Sequence, residues 1–497
     1  MPENQEQLQK LFVGGDLSGI QNFLYNISSK RAAVSLKGRS YYLSELMSKA
    51  SEEVRSVALA AGASSAETET IYSSGGKFYI ITENTPQVKQ AITEWSQKFK
   101  SKLWEEHFGL LAFNFAFTPF NENPDGKVNT IKGDSEKCGE LWRIVNAEFA
   151  KQKNRKFEDI IRADFDGHFC PIPIGDSPKV CAITGVESEK CVEYKYCPPN
   201  EKEPVTMLVL PSVKEQIEEG EELNRQDGGK SFEEYAGDTY LGVLRMDVDG
   251  LGKRFITGFK SIKAYKVFSK RLVDFFEKEV RNIRDKDFKE FTNIIYAGGD
   301  DLFIVGRWDV IIDFAKRIHD EVESRFKEDG ITISGGITIM KPKFPIAKAA
   351  EQAGEAEDEA KHFKMGDTEK NAIHFLGTTI SWNEYDYVCC KKEKFVDLIN
   401  NHNMSKSILH KMMLYNFIAQ RNEELQKQGK PQDFSYLWHA PYYLTRFADK
   451  KPPEIVDFVR GLRDKELSDK RKLQLVALAA RWAELTIREK KNKNQPL

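Results

Sequence analysis

Apolar and polar positions change period several times along the chain, and each change marks an element. Near the start, LFVGGD reads as a short apolar strand and KFYIIT as a second. LAFNFAF at 111–117 alternates cleanly as a third, followed by a loop-like TPFNENPDGK. From about 151 to 238 the pattern turns irregular. That stretch holds four of the seven cysteines and an acidic, Gly-containing run, EEGEELNRQDGGK, which reads as a linker or exposed loop. Residues 239–380 read as a compact α/β unit. LGVLRMD is a strand, residues 260 to 282 carry a helical period, and NIIYAGGDDLFIVG reads as two strands around a tight Gly-Gly turn. A helix at about 309–327 puts Ile311, Ile312, Ala315, Ile318, Val322 and Phe326 on one stripe. ITISGGITIM is a further strand, and FPIAKAAEQAGEAEDEAKHF a helix with Pro345 near its first turn. Beyond 381 the chain reads helical near 405–427, 453–464 and 468–490, without a chemical motif. Such a bundle suits docking of a partner.

A repeat runs through this pattern. Asp16-Leu17-Ser18-Gly19-Ile20 parallels Asp247-Val248-Asp249-Gly250-Leu251, each at the end of an apolar strand. Downstream, IYSSGGKFYIIT parallels IYAGGDDLFIVG in the same order. The chain therefore reads as one strand–helix–hairpin unit used twice. Aligned on the glycine pair, Lys77 and Phe78 of the first copy match Asp300 and Asp301 of the second.

Composition narrows the function. The 497 residues exceed one ordinary core, so several domains are expected. Lys+Arg at 74 nearly balances Asp+Glu at 76, so no global positive field draws in nucleic acid. RNA contacts, if made, fall to a local patch or to partner subunits. No segment approaches the roughly 18 unbroken apolar residues of a membrane span, and the polar opening MPENQEQLQK lacks a signal-peptide core. A cytoplasmic protein with reduced cysteines is expected, with no membrane partner.

The second copy carries the chemistry. Asp300 and Asp301 sit at the tip of a hairpin with apolar arms, Asp247 ends a neighbouring strand and Asp249 starts the loop after it. A lone Asp-Asp pair at a turn is usually solvated. Here the Gly-Gly turn, the strand ending MDVDG and the element order agree on convergence, and converging carboxylates need a cation. Oxygen ligands suit Mg²⁺ or Mn²⁺, and two such ions support in-line displacement at a phosphoryl group. Gly298 and Gly299 allow a sharp turn and close approach to a ligand. Lys361 and Lys370 read either as point charges for a triphosphate or as solvated residues, Lys361 then only complementing a helix dipole.

GDLSGIQNFLYNIS, LKGRSYYL, YSSGGKFYI, LGVLRMDVDGLGKRF, YAGGDDLFIVG and KNAIHFLG, in this order, resemble the large polymerase–cyclase subunit of type III CRISPR effector complexes, of the Csm type. The resemblance covers roughly 11–380 and, more loosely, the tail. It implies an α+β multidomain chain with two ferredoxin-like palm domains. The expected boundaries are 1–150 for a degenerate first palm, 151–238 for a Cys-containing linker domain, 239–380 for a GGDD palm and 381–497 for a helical bundle. It further implies ATP as substrate, catalysis by Asp247, Asp300 and Asp301, and a nucleotide pocket lined by Ser18, Gly75 and Gly76. Guide RNA, target RNA and other effector subunits, among them a small helical one, are the implied partners. Cyclic oligoadenylate is the implied product. AMP joined to another acceptor, such as S-adenosylmethionine, stays open.

Two departures follow. The first palm motif starts at Gly15, which leaves no room for the HD nuclease domain of many relatives, and His319-Asp320 reads as a helix-surface pair, so no DNase activity is expected. The family's paired C-x-x-C zinc module is broken, since Thr184 stands three residues after Cys181. Cys170, Cys181, Cys191 and Cys197 form either a four-thiolate zinc site, with His168 as a substitute ligand, or a metal-free remnant. Competing readings are a GGDEF-like cyclic-dinucleotide synthase using GTP and a catalytically silent scaffold.

Overall fold

The computed structural model describes residues 8–27, 31–123, 126–130, 133–135, 137–169, 179–197, 203–237, 239–366 and 368–493. It is a mixed α+β chain in two compact units. The first comprises Met1–Tyr235, Gly250–Val305 and Lys343–Ala350, and the second Ala236–Asp249, Gly306–Pro342 and Glu351–Leu497. No helix among the described residues is long and apolar enough to cross a membrane.

The first unit is built on an antiparallel sheet of β1 (Lys10–Ser18), β2 (Glu69–Ser74), β3 (Lys77–Glu83), β4 (Ala112–Glu122), β5 (Val128–Thr130) and β6 (Gly133–Ser135). Their order is β2-β3-β1-β4-β5-β6. Alternation divides β1 between two faces. Leu11, Val13 and Leu17 join Phe78, Ile80, Phe113 and Phe115 in a core with Met47 and Val54 of helix Ala32–Ala60 and Val88, Ile92 and Phe99 of helix Pro86–His107. Each such side chain stabilises by about 1.5–3 kcal/mol on burial. On the other face a Cβ on Gly14 would lie 2.7 Å from Val145 Cγ1 of helix Gly139–Lys153, so only glycine lets that helix so close.

Two expectations need correction. The strand beginning in LAFNFAF does not stop at 117, because β4 runs to Glu122 with Phe120 paired to Lys10 and fully buried. Burial of one aromatic ring outweighs the turn-rich composition around it. The acidic run at 218–230 is no simple loop: Pro211–Gln226 is a helix. Val213, Gln216, Ile217, Gly220 and Asn224 are its buried stripe, with only two large apolar side chains and so thin enough for glutamates to mask. A Cβ on Gly220 would sit 2.2 Å from Val34 O, and one on Gly38 only 1.6 Å from Gln216 O, so this helix crosses Ala32–Ala60 backbone against backbone. β7 (Val192–Tyr196) and β8 (Val205–Val209) form a small antiparallel ladder in the Cys-containing segment.

After residue 236 the strands alternate between units. β9 (Leu241–Val248) lies in the second unit, and β10 (Thr292–Gly298) and most of β11 (Asp301–Arg307) lie in the first. β12 (Ile333–Met340), the short ladder β13 (Lys364–Met365) with β14 (Thr368–Glu369), β15 (Ala372–Phe375) and β16 (Thr378–Ser381) return to the second. There β12 pairs antiparallel with β9 and parallel with β15, and β15 pairs antiparallel with β16. The β15–β16 turn is Leu376-Gly377, both at positive φ, as a tight two-residue hairpin requires. The predicted stripe of helix Trp308–Phe326 is buried throughout. Gly336 of β12 meets helix Ile346–Lys361, where a Cβ would lie 2.1 Å from Glu357 N. Helices Trp382–Asn401, Ser407–Lys427, Tyr436–Ala448 and Lys470–Lys493 make up most of the tail. The first of them opens with a capping box of Ser381 and Glu384.

Candidate active site

In the second unit, β9 carries Asp247 one residue before its end, and the β9–β12 register sets it opposite Ser334. Lys361 closes helix Ile346–Lys361, and its Nζ lies 2.7 Å from Asp247 Oδ2 and 2.6 Å from Glu357 Oε1. Glu357 is buried and also pairs with Arg245 Nε at 3.2 Å. Burial works against the Lys361 charge, but the Asp247 and Glu357 carboxylates outweigh it and hold the ammonium above the ordinary lysine range. The lysine at the end of the helix therefore holds the strand-end carboxylate.

Asp249 lies two residues on. Its Oδ2 accepts from Thr332 Oγ1 at 2.8 Å, Ser334 Oγ at 3.0 Å and the Asn371 backbone N–H at 3.1 Å. Lys370 and Asn371 both lie in the left-handed region, with φ of 59° and 46°. Lys370 thus sits at the foot of β15, beside a network anchored on Asp249. Sequence reading noticed Asp249 only as a loop residue and passed over Asn371. The signal available was the second aspartate of MDVDG and the asparagine of KNAIHF.

In the first unit, β10 ends at Gly298, Gly299 takes a φ of 69°, and Asp301 begins β11. The turn fits closely against the corresponding turn after β2. A Cβ on Gly299 would lie 2.9 Å from Gly75 Cα, and one on Gly75 would lie 3.8 Å from Asp300 Oδ1. Tyr72, buried beneath both, has its phenol pushed well above its usual range by burial and then by the Asp300 charge. A cavity of about 540 Å³ opens on this side, lined by Gly75, Gly76 and Gly298, with Lys37, Asp227 and Arg281 among its charged walls. Lys37 is ion-paired to Asp227, which Arg284 also holds at 2.8 Å. Burial pulls the Lys37 amine down to about 8, partly offset by Asp227. Ser18 does not line this cavity. It is buried, and its Oγ accepts from Asn114 Nδ2 at 2.8 Å. Asp227 was missed because it lay in the stretch read as a loop.

The strand bounds revise the internal alignment by one residue. β2 ends at Ser74 and β3 begins at Lys77, while β10 ends at Gly298 and β11 begins at Asp301. Gly76 and Lys77, rather than Lys77 and Phe78, therefore correspond to Asp300 and Asp301. In the first copy Asp16 of β1 pairs in register with Lys77 of β3 and Asn114 of β4. Asp16 is buried, 2.8 Å from Lys153 Nζ and 3.9 Å from Lys77 Nζ. Lys153 ends helix Gly139–Lys153 as Lys361 ends its own helix, so both copies pair a strand-end aspartate with a lysine at a helix C-terminus.

The remaining candidates fall elsewhere. Cys181 and Cys191 are buried in an apolar cluster and Cys197 is exposed. Burial would raise the Cys181 thiol, but hydrogen bonds from Thr184 and from the backbone of Thr184, Leu210 and Ile183 hold it below its usual value. The ligand atoms of these three cysteines do not gather within 4.8 Å of one another, as a shared zinc would require. Cys170 lies outside the described residues. The surface reading of His319 is also corrected: its ring is buried and stacks on Trp382, 4.5 Å between centroids, while Asp320 takes Lys316 at 2.6 Å.

Residues 240–374 match the family described as Cas10/Cmr2, second palm domain, and residues 9–166 match Csm1 subunit domain B. Curated relatives named CRISPR system single-strand-specific deoxyribonuclease Cas10/Csm1 (subtype III-A) are similar along most of the chain. The Enterococcus italicus protein is 25% identical over 81% of this chain and 59% of its own length. The Mycobacterium tuberculosis protein is 23% identical over 87% and 61%. The chain thus spans about three-fifths of these relatives. A Csm1–Csm4 cassette solved in complex with pppApA shares the fold, with a TM-score of 0.67 at 19% identity over 97% of this chain and 70% of that one. The cassette in complex with cA4 gives a TM-score of 0.64 at 20% identity, over 95% and 70%.

Proposed function

We propose that this homologue of the Cas10/Csm1 subunits of subtype III-A is the nucleotidyltransferase of an RNA-guided effector, making an adenylate second messenger from ATP. The observation that carries the reading is the register of the first copy. Asp16 pairs with Lys77 there, and Asp247 and Asp301 are their equivalents in the second copy. A repeated strand order would bring β11 beside β9 and set Asp301 opposite Asp247, with Asp300 at the adjoining turn. The chain would then hold two palm domains, the first without the acidic pair.

An all-carboxylate donor set of Asp247, Asp300 and Asp301 fits Mg²⁺ or Mn²⁺. Such ions, when bound, supply a lowered pKa at the attacking hydroxyl and charge neutralisation at the leaving pyrophosphate. Lys361 orients Asp247 through its 2.7 Å contact. Gly298 and Gly299 bring the backbone close to the reacting phosphate without a side chain in the way. Lys370 meets the triphosphate as a point charge. Gly75, Gly76 and the cavity beside them receive the second nucleotide, or another acceptor such as S-adenosylmethionine.

The solved neighbours are Csm1–Csm4 cassettes, one described as a subcomplex of the type III-A CRISPR-Csm interference complex. By extension this chain joins Csm-type subunits, guide RNA and target RNA. Trp438 and Tyr442, exposed on helix Tyr436–Ala448, support a docking role for the tail toward a small helical subunit. The relatives' name includes a DNase activity. We propose no such role for His319, whose ring stacks on Trp382 and whose Nδ1 lies 3.1 Å from Asp320 Oδ1.

The test uses the assembled complex with Mn²⁺ and labelled ATP, with and without target RNA and S-adenosylmethionine, products being identified by mass. An adenylate product that needs target RNA and disappears in Asp300→Ala/Asp301→Ala is expected. An RNA-bound complex with no product under any condition would favour a scaffold.

A further inference from the structure

Two consecutive non-glycine residues in the left-handed region, Lys370 and Asn371, are a strained arrangement, and strain of this kind persists only where its surroundings over-determine it. The constraint is visible. The Lys370 N–H donates to Phe363 O at 2.9 Å, the Asn371 N–H to Asp249 Oδ2 at 3.1 Å, and the Ala372 N–H to Ser334 Oγ at 3.4 Å. Ser334 in turn donates its hydroxyl to the same Asp249 oxygen at 3.0 Å, and Thr332 adds a third donor at 2.8 Å. One carboxylate oxygen therefore ties β12 to the residue before β15. The backbone N–H of Asp249 donates to Thr332 O at 2.9 Å, which fixes the carboxylate itself at the end of β9. A solvated loop aspartate has no need of three donors from two other segments. The residue whose place this network sets is Lys370, one strand removed from Ser334, the register partner of Asp247.

We infer that Asp249 is a positioning residue, which locks the Lys370–Asn371 turn so that Lys370 is fixed for the polyphosphate of a nucleoside triphosphate held at the Asp247 end of the sheet. This rests on the proposed nucleotidyltransferase reading for the ligand class. It goes beyond that reading in giving Asp249 a defined task.

The experiment is a double-mutant cycle read by binding rather than turnover. A non-hydrolysable ATP analogue is titrated with Mn²⁺ into the full chain as wild type, Asp249→Ala, Lys370→Ala and the double variant. Each single change is expected to weaken binding about tenfold, the size of one charge-assisted hydrogen bond. The double variant should be no weaker than Lys370→Ala alone, because the two act as one device. Hydrogen exchange at the Asn371 and Ala372 amides should speed up in Asp249→Ala and stay unchanged in Lys370→Ala. Asp249→Asn, which keeps the side-chain shape, should repeat the pattern at smaller size if the alanine variant does not fold. Additive losses approaching a hundredfold, unchanged binding in Asp249→Ala and Asp249→Asn, or no analogue binding by the wild type would each overturn the inference. Analogue binding with an intact cycle, but no product from the assembled complex, would remove the proposed function and leave the positioning role standing.

Discussion

Replacing Gly299 by alanine tests how closely the Asp300 turn is held. At a φ of 69° an L-residue meets a backbone penalty of about 1–2 kcal/mol. The new Cβ would also stand 2.9 Å from Gly75 Cα and 3.2 Å from Gly75 N. Carbon atoms in contact prefer about 3.5–4.0 Å, so one turn must withdraw by about 0.6 Å or more, and backbone faces backbone with no flexible tip to yield. Asp300 follows Gly299 directly and moves with it. Misplacement of a catalytic group by about 1 Å costs about a hundredfold in rate, so a loss of about ten- to a hundredfold in adenylate formation is expected. Gly62→Ala is the control, since Gly62 has a φ of 96° with nothing within 4 Å of its Cβ position. It carries a comparable backbone penalty without the clash. Both variants are compared for thermal unfolding by circular dichroism and for product by mass in the assembled complex. Equal loss of stability with activity lost only in Gly299→Ala supports the argument. Activity in Gly299→Ala matching that of Gly62→Ala would show that the contact between the turns does not set the position of Asp300.

Lys361→Met leaves Asp247 and buried Glu357 without their shared ammonium. A stability loss of about 1–3 kcal/mol in denaturant and a product yield down more than tenfold are expected, discounting for the lysine's partial exposure; unchanged stability would mean that solvent screens the cluster. His107 is buried, with its Nε2 2.7 Å from the Tyr42 phenol oxygen, and burial, then the Arg39 and Lys102 charges, lower its imidazole from 6.5 to about 4. The folded pKa lies below the unfolded one, so this contribution is complete above about pH 6.5 and is lost as pH falls toward 4. The loss totals about 3 kcal/mol at about 1.4 kcal/mol per unit. Denaturant midpoints from pH 7 to 4 should flatten in His107→Gln, and an unchanged slope would exclude His107 as a source. Gly38→Val drives a side chain into Gln216 O and should cost at least about 3 kcal/mol, the upper end for overpacking. A variant with wild-type unfolding would refute the close helix crossing.

Much of this fold was legible in the order of the residues. Short apolar runs located β1, β3, β9 and the arms of the GGDD hairpin, and the helical period located the stripe of helix Trp308–Phe326, because a helix with one buried face must repeat its apolar residues at its own period. The doubled motif and the order of its parts placed Asp247 at a strand end and Asp300 and Asp301 at a hairpin tip, and the family matches at 9–166 and 240–374 agree with the resemblance drawn from those motifs. Where burial rested on a few residues among many charges, pattern failed. Gly38 and Gly220 let two helices touch, and nothing in EEGEELNRQDGGK announces that contact. Side-chain partners lay further out of reach. That Lys361 holds Asp247, that Lys77 and Lys153 sit on Asp16, and that Asp249 ties down Asn371 are pairings between segments tens of residues apart or more. Local periodicity carries no information about which distant donor finds which carboxylate. Register and helix approach decide that, and they exist only once the chain has folded.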